Sequence, residues 1–414
     1  MKWRDNYFLL FIVVLFISTI FKLSFVDKLH IEPDDMIAMH YLVAYEDQSI
    51  YKIVNDKNSP SYNSKIKKKI REIESKDNVI YNFIENKSSK VLNSAAPSKN
   101  STLAPMQYLI FGKLVSKTQN YNQLKFYSRI PSIFYTILYI LMTYYFCSFL
   151  FPTESRFSFF SVLMIILSFP LIYISLRSYT YAAGIFATTI IFFLTYLEMI
   201  GKNFSKIKLT DKKINIKNSI YLAIIFSLLA YTNYCVFYIL PLFFLICFIQ
   251  NFKIKKLFSF INYNLFLVGI FFIIFSSPLI LHIYNLSLHD YAVKESPGGF
   301  GMVYHLSEEE KMDKVFVILF FLKNAYLTIS KNLSFFVDNF YMSKFIQSIL
   351  FIFVILGLFI SRKENNNLKM FSNLSIVFFS YYFTLVYLGI LTLGPTRHTN
   401  FYTPLFAILF VITL

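Results

Sequence analysis

The chain has 414 residues, of which 56% are hydrophobic, 20% aromatic and only 15% charged, a charged share well below that of ordinary soluble domains. That composition excludes a soluble enzyme and points to a single polytopic membrane domain over residues 1–414. The formal net charge of +17 rests mainly on lysine, because only seven of the 40 basic residues are arginine; basic loops of membrane proteins report topology, and no nucleic-acid partner is expected.

In chain order, "MKWRD" precedes the apolar run "YFLLFIVVLFISTIFKLSFV". The run lacks a small-residue cleavage site and reads as a retained first span over 7–26. A long segment, 27–129, follows. It opens with "HIEPDDMIAMHYL", where Asp34 and Asp35 come directly after Pro33; a chain break followed by acids predicts a short helix start at the membrane surface. Its basic stretch "KIKKKIREIE" is nearly balanced by the 11 acidic residues of the segment. Near its end, "LAPMQYLIFGKLV" (103–115) is too short to span and predicts an interfacial helix with Lys113 on the wet face.

Further apolar runs predict spans at 130–150, 157–176, 179–199, 219–233, 235–249, 261–283, 343–360, 372–391 and 399–414, about ten transmembrane helices in all. The lysine-rich stretches 201–218, 251–256 and 361–369 carry the topogenic charge, as does "MKWR". Placing all four on the cytoplasmic side is self-consistent, and it puts 27–129 and 284–342 outside. Within the second outer segment, "VFVILFFLKNAYLTI" (315–329) predicts an interfacial or re-entrant helix with Lys323 on its wet face. Were it to span, every later crossing would reverse. Cys147, Cys235 and Cys247 all lie in apolar runs without paired spacing, so neither a disulfide nor a zinc site is implied.

The scarce arginines are informative. Arg4, Arg156 and Arg362 follow the orientation rule, and Arg71 lies in the balanced basic stretch of the first outer segment. Arg129 in "YSRIPS", Arg177 in "SLRSYTY" and Arg397 in "GPTRHTN" fall instead at the outer membrane edge, where all six histidines also map. Taken singly, each arginine fits a snorkelling anchor. Three together on the disfavoured side fit an anion held at headgroup level, for which the guanidinium fork suits phosphate. No two histidines have the spacing of helical metal ligands. A carboxylate beside apolar surface, such as Asp34, suits a general base acting on an acceptor hydroxyl or amine.

This arrangement resembles the GT-C superfamily of integral membrane glycosyltransferases, in particular the protein mannosyltransferases, aminoarabinose transferases and lipopolysaccharide-core transferases that use polyprenyl-phosphate sugars. The sequence "PDD" stands where those enzymes carry an acidic pair after a proline, with Asp35 replacing the usual Glu. "LAPMQYLIFGKLV" is similar to the interfacial helix that closes their first outer loop, without its His and first Pro. "SRIPSIFYTILY" matches the Arg-Leu-Pro-Ser-like opening of their next span. "SFPLIYISLRSYTYAAGIFATTIIFFL" looks like their Ser-rich turn with a Tyr between two spans, and "TRHTNFYTPLFAI" like their late Arg-Tyr-x-x-Pro motif.

The resemblance implies an all-α GT-C fold that moves a sugar from a polyprenyl-phosphate donor to a glycan, lipid or protein acceptor, with inversion. It implies the cytoplasmic (inner) membrane of a bacterium, with the active site facing outside among membrane lipids. Asp34 is then the base, and Asp35 orients the acceptor or a divalent cation, which some such enzymes use and others do not. Arg177, Arg397 and Arg129 are implied to bind the donor phosphate, and Tyr179 and Tyr181 to line the sugar or lipid groove, although interfacial tyrosines also serve as belt residues. Two other classes remain open: a flippase or transporter for lipid-linked sugars, and a membrane scaffold or O-antigen-type polymerase. Acid-free spans and the lack of repeated halves disfavour transport.

Overall fold

The computed structural model describes residues 2–26, 28, 121–178, 181–200, 216–253, 260–289, 313–334, 343–387 and 401–414. Most of these residues are helical, with no strand among them. The elements are α1 (Lys2–Phe25), α2 (Tyr121–Leu150), α3 (Ser155–Leu167), α4 (Phe169–Ser175), α5 (Tyr181–Met199) and α6 (Ile216–Thr232). They continue as α7 (Cys235–Lys253), α8 (Phe260–His289), α9 (Lys314–Asn332), α10 (Lys344–Lys363), α11 (Asn366–Tyr387) and α12 (Thr403–Thr413). Six of them, α1, α2, α5, α8, α10 and α11, are long and apolar enough to cross a membrane, while α3, α6, α7 and α12 are shorter apolar helices. The architecture is compatible with an all-α membrane protein.

Burial separates centre from periphery. In α5, 78% of the apolar window is buried in the protein, against 17% in α1. The small residues Ala182, Ala183, Gly184 and Ala187 let neighbouring helices approach α5 closely. Around its other end, Phe146 of α2 meets Phe192, Phe193 and Tyr196 of α5 and Phe371 of α11 at ring separations of 5.1–5.9 Å. In contrast, α1 turns Phe8, Leu9, Phe16 and Ile17 outward, and α8 and α10 expose Phe266 and Phe345. So continuous an apolar exterior is stable only against lipid.

Serine hydroxyls join helices where no side-chain volume is needed. Ser276 of α8 donates to Ser227 of α6 at 3.0 Å, Ser219 to the Asn264 carbonyl at 3.3 Å, and Ser372 of α11 to the Leu358 carbonyl at 2.9 Å.

The contacts sort the helices by end. Tyr7 of α1 lies 5.9 Å from Phe159 of α3, and Tyr196 near the end of α5 donates to the carbonyl of Asn367 at the start of α11. The N-terminus of α1, the loop carrying Glu154 and Arg156, the C-terminus of α5 and the junction carrying Arg362 therefore share one end. At the opposite end, Val26, Arg129, Arg177 and Tyr181 come together. The arginines that obey the orientation rule are thus separated from two of those that do not.

Two sequence expectations are corrected in detail, and the helix expected at 315–329 is present. The span expected at 157–176 is two helices, broken at Ser168, because Pro170 has no amide proton to continue the ladder. The break is secured from outside: the Phe169 amide donates to the Ser334 carbonyl at 2.8 Å and Ser168 Oγ to the Asn332 carbonyl at 2.9 Å. The expected helix at 315–329 is α9, capped by the Asp313 carboxylate, and its far end is what secures that break. Finally, α2 begins at Tyr121, so Arg129 sits inside a helix rather than at its mouth. The polar stretch "YNQLKFYS" extends the apolar run as further helical turns.

Gly357 permits the closest helix contact. A Cβ there would lie 2.0 Å from the Leu409 carbonyl oxygen and 2.7 Å from its carbon. Gly357→Ala is expected to lower stability by about 1–3 kcal/mol, because backbone cannot yield as a side chain can. Gly269→Ala meets nothing within 4 Å and gains up to about 1 kcal/mol from helix propensity. Thermal unfolding of both variants in detergent should move in opposite directions.

Candidate functional site

The end that carries Arg129 and Arg177 is built from four chain segments. Val26, just past α1, packs with Ile133 of α2 and Leu176 after α4 in a small apolar cluster of their own. Arg129 is wholly buried beside it, and its guanidinium donates to the Val26 carbonyl. That carbonyl is one of the acceptors a helix leaves unsatisfied at its C-terminus. A buried guanidinium without acceptors would be strongly destabilising, so this bond both anchors α1 on α2 and holds the cation.

One residue earlier on α2, Ser128 Oγ lies 2.8 Å from Ser178 Oγ. The pair ties the start of α2 to the turn after α4. In that turn Arg177 is 7% exposed, with its guanidinium carbon 4.1 Å from the centre of the Tyr173 ring. Stacking on an aromatic face stabilises a guanidinium electrostatically. Three residues beyond Ser178, Tyr181 begins α5 and is itself buried, which separates it from the exposed tyrosines of an interfacial belt.

The turn between α6 and α7 closes the neighbouring side. The Asn233 side chain accepts from the Cys235 amide at 2.9 Å, and Cys235 Sγ contacts the Gly184 carbonyl at 3.7 Å. Tyr234, outside the spans, has a buried hydroxyl without a hydrogen-bond partner among the described residues. Burial pushes its phenol up from the ordinary tyrosine range, so it stays a neutral donor. Phe401 packs on the first turn of α5, close enough that a Cβ on Gly184 would meet its ring at 2.6 Å. Next to it Tyr402 is buried against Tyr382, with ring centres 4.8 Å apart.

Of the residues singled out from sequence, Arg129, Arg177 and Tyr181 are thus gathered at one end. Asp34, Asp35, Tyr179 and Arg397 lie outside the described residues, as do the helix expected at 103–115 and the histidines His30, His40, His305 and His398. Phe401, a described residue of the late motif, packs on the first turn of α5. Among the described residues no group of three or more His, Cys, Asp or Glu side chains could hold a metal.

Sequence reasoning passed over Lys22, Ser128 with Ser178, and the Asn233–Tyr234 turn. Lys22 was visible as the one charge in the apolar run after Tyr7. Its meaning depends on facing, because the buried stripe of α1 runs Phe11, Leu15, Lys22, Val26. The serines carry no sequence signal, since they meet only when α2 and the α4 turn are adjacent. Compared with protein-family models, curated proteins and solved structures, the chain matches none.

The Gly184 contact can be tested directly. Gly184→Ala is expected to push Phe401 off α5 and cost about 1–3 kcal/mol of stability by overpacking. Phe401→Leu in the same chain should restore most of it, which thermal unfolding of the single and double variants would measure.

Proposed function

We propose that the chain is a GT-C-type glycosyltransferase of about ten transmembrane helices, which moves a sugar from a polyprenyl-phosphate donor to an acceptor at the outer face of a bacterial cytoplasmic membrane. The observation that carries this reading is the convergence of two arginines from separate motifs, Arg129 and Arg177, in buried positions at one end of the bundle beside Tyr181. The guanidinium fork suits a phosphate at headgroup level, and two such groups at one helix end would supply the positive charge a departing lipid phosphate needs. The packing of Phe401, a described residue of the late motif, against Gly184 adds to it.

In this reading the acceptor hydroxyl or amine attacks the anomeric carbon of the donor sugar from the side opposite the phosphate. The carbon–oxygen bond to phosphate breaks, and the lipid phosphate departs with the electron pair. Configuration at that carbon inverts. Asp34 takes the acceptor proton, and Asp35 orients the acceptor. Arg177 and Arg397 neutralise the charge that grows on the leaving phosphate, with Arg129 supporting it from α2. Tyr179 and Tyr181 line the groove. Where a divalent cation takes part, Asp34 and Asp35 are the carboxylates that would hold it, and the charge it supplies would assist departure of the phosphate.

The test is transfer of radiolabelled sugar from a panel of synthetic polyprenyl-phosphate sugars to membrane acceptors. Wild type is compared with Asp34→Asn and Arg177→Met at equal expression. Asp34→Asn is expected to lose roughly 10²–10⁴-fold in transfer while donor binding persists, the range for removing a general base. Arg177→Met should weaken donor binding as well. Undiminished transfer by Asp34→Asn would remove that residue from catalysis, and an inert wild type with every donor would sink the reading.

A further inference from the structure

Helix α1 lies at the edge of the bundle and directs one stripe inward, Phe11, Leu15, Lys22 and Val26, against α2 and α3. Three of the four are apolar. Lys22, at the fourth position, is only 4% exposed and makes no hydrogen bond or ion pair among the described residues. Lysines near the end of a span ordinarily snorkel to water, which would leave the ammonium exposed. This side chain is buried instead, one helical turn or about 6 Å before Val26, whose carbonyl receives Arg129.

The described carboxylates lie elsewhere. Glu154 pairs with Arg156 at 2.7 Å, Asp313 caps α9, and Asp5, Glu198 and Glu364 belong to the opposite end of the bundle. An enclosed ammonium without a counter-charge is destabilising, and an ionisable residue inside a span marks a binding function with a partner to be named.

We infer that Lys22 is an anion subsite on α1, set one turn deeper than Arg129, that receives an oxygen of a phosphate headgroup. The inference rests on the proposed transferase reading for the identity of the phosphate, but the subsite itself needs only the buried lysine on the stripe that ends at the carbonyl held by Arg129. Lys22 supplies a third donor from a helix that otherwise meets the site through apolar packing and one carbonyl. A single oxygen anion held from α1 and α2 together also couples the seating of α1 to occupancy.

The experiment uses the full chain, purified in a maltoside detergent that carries no phosphate. Binding and thermal shift are measured with a long isoprenyl monophosphate, the matching isoprenol, phosphatidylglycerol and inorganic phosphate. Wild type, Lys22→Met and Lys22→Arg are compared. The expected result is that isoprenyl monophosphate binds and raises the unfolding temperature of wild type while the isoprenol does not. Lys22→Met should bind at least about tenfold more weakly, the scale of a lost charge-assisted hydrogen bond, and Lys22→Arg within a few-fold of wild type. Without ligand, Lys22→Met should unfold at the same or a higher temperature, because it removes an enclosed charge.

Equal affinity in wild type and Lys22→Met overturns the subsite while leaving the transferase reading in place. A marked loss of ligand-free stability in Lys22→Met, with Lys22→Arg restoring stability but not changing affinity, also overturns it. Lysine-dependent binding of phosphatidylglycerol or inorganic phosphate, with none of the isoprenyl phosphate, supports the subsite and sinks the polyprenyl-phosphate donor. Absence of binding to all of them overturns both.

Discussion

A guanidinium without bulk water must find acceptors inside the protein, and the burial of Arg129 imposes that demand at the point where α1 and α2 meet. The Val26 carbonyl answers it. That carbonyl is available only because α1 ends there, so the length of α1, the position of Arg129 on α2 and the seating of the two helices are mutually constrained. Through Ser128 and Ser178 the same constraint reaches the turn after α4, and so fixes where Arg177 stands relative to α2. Basic side chains become a group at one end because backbone polarity and helix ends dictate where a cation can be held.

A second constraint works through what is missing. Gly184 and Gly357 sit where another segment comes closer than any Cβ would allow. At Gly357 the close neighbour is backbone, which locks α12 against α10. At Gly184 it is the ring of Phe401, which seats the chain just after Arg397 on the first turn of α5. The small residues around Gly184 give α5 its central place, since packing without a hydrophobic driving force depends on close approach. The broken pair α3 and α4 follows the same economy: Pro170 frees backbone groups at Ser168 and Phe169, and the end of α9 satisfies them.

Much of the helical layout is legible in the composition. The apolar runs that became α1, α2, α5, α8, α10 and α11 are long, and the periodicity of the lipid-facing residues leaves little freedom. Helix breaks are less legible. Pro131, Pro241 and Pro278 are tolerated inside helices, whereas Pro170 marks a break, and the difference lies in whether another element supplies partners. Of the site, Arg129, Arg177 and Tyr181 could be picked out from the topology that the lysine-rich stretches lead one to expect. Lys22 could not, because a lysine near the end of a span reads as snorkelling until the buried stripe of α1 is known.

The sequence by itself determined that this chain is helical, that its long runs suit lipid, and that its arginines divide between two faces. Those properties follow from hydropathy and charge, which act residue by residue and survive without knowledge of neighbours. Only the tertiary structure decided which helix ends meet, that the far end of α9 secures the break between α3 and α4, and that Lys22 lies on the buried stripe of α1. Each of these depends on a contact between segments distant in the chain, and a contact of that kind is a property of packing that no local pattern encodes.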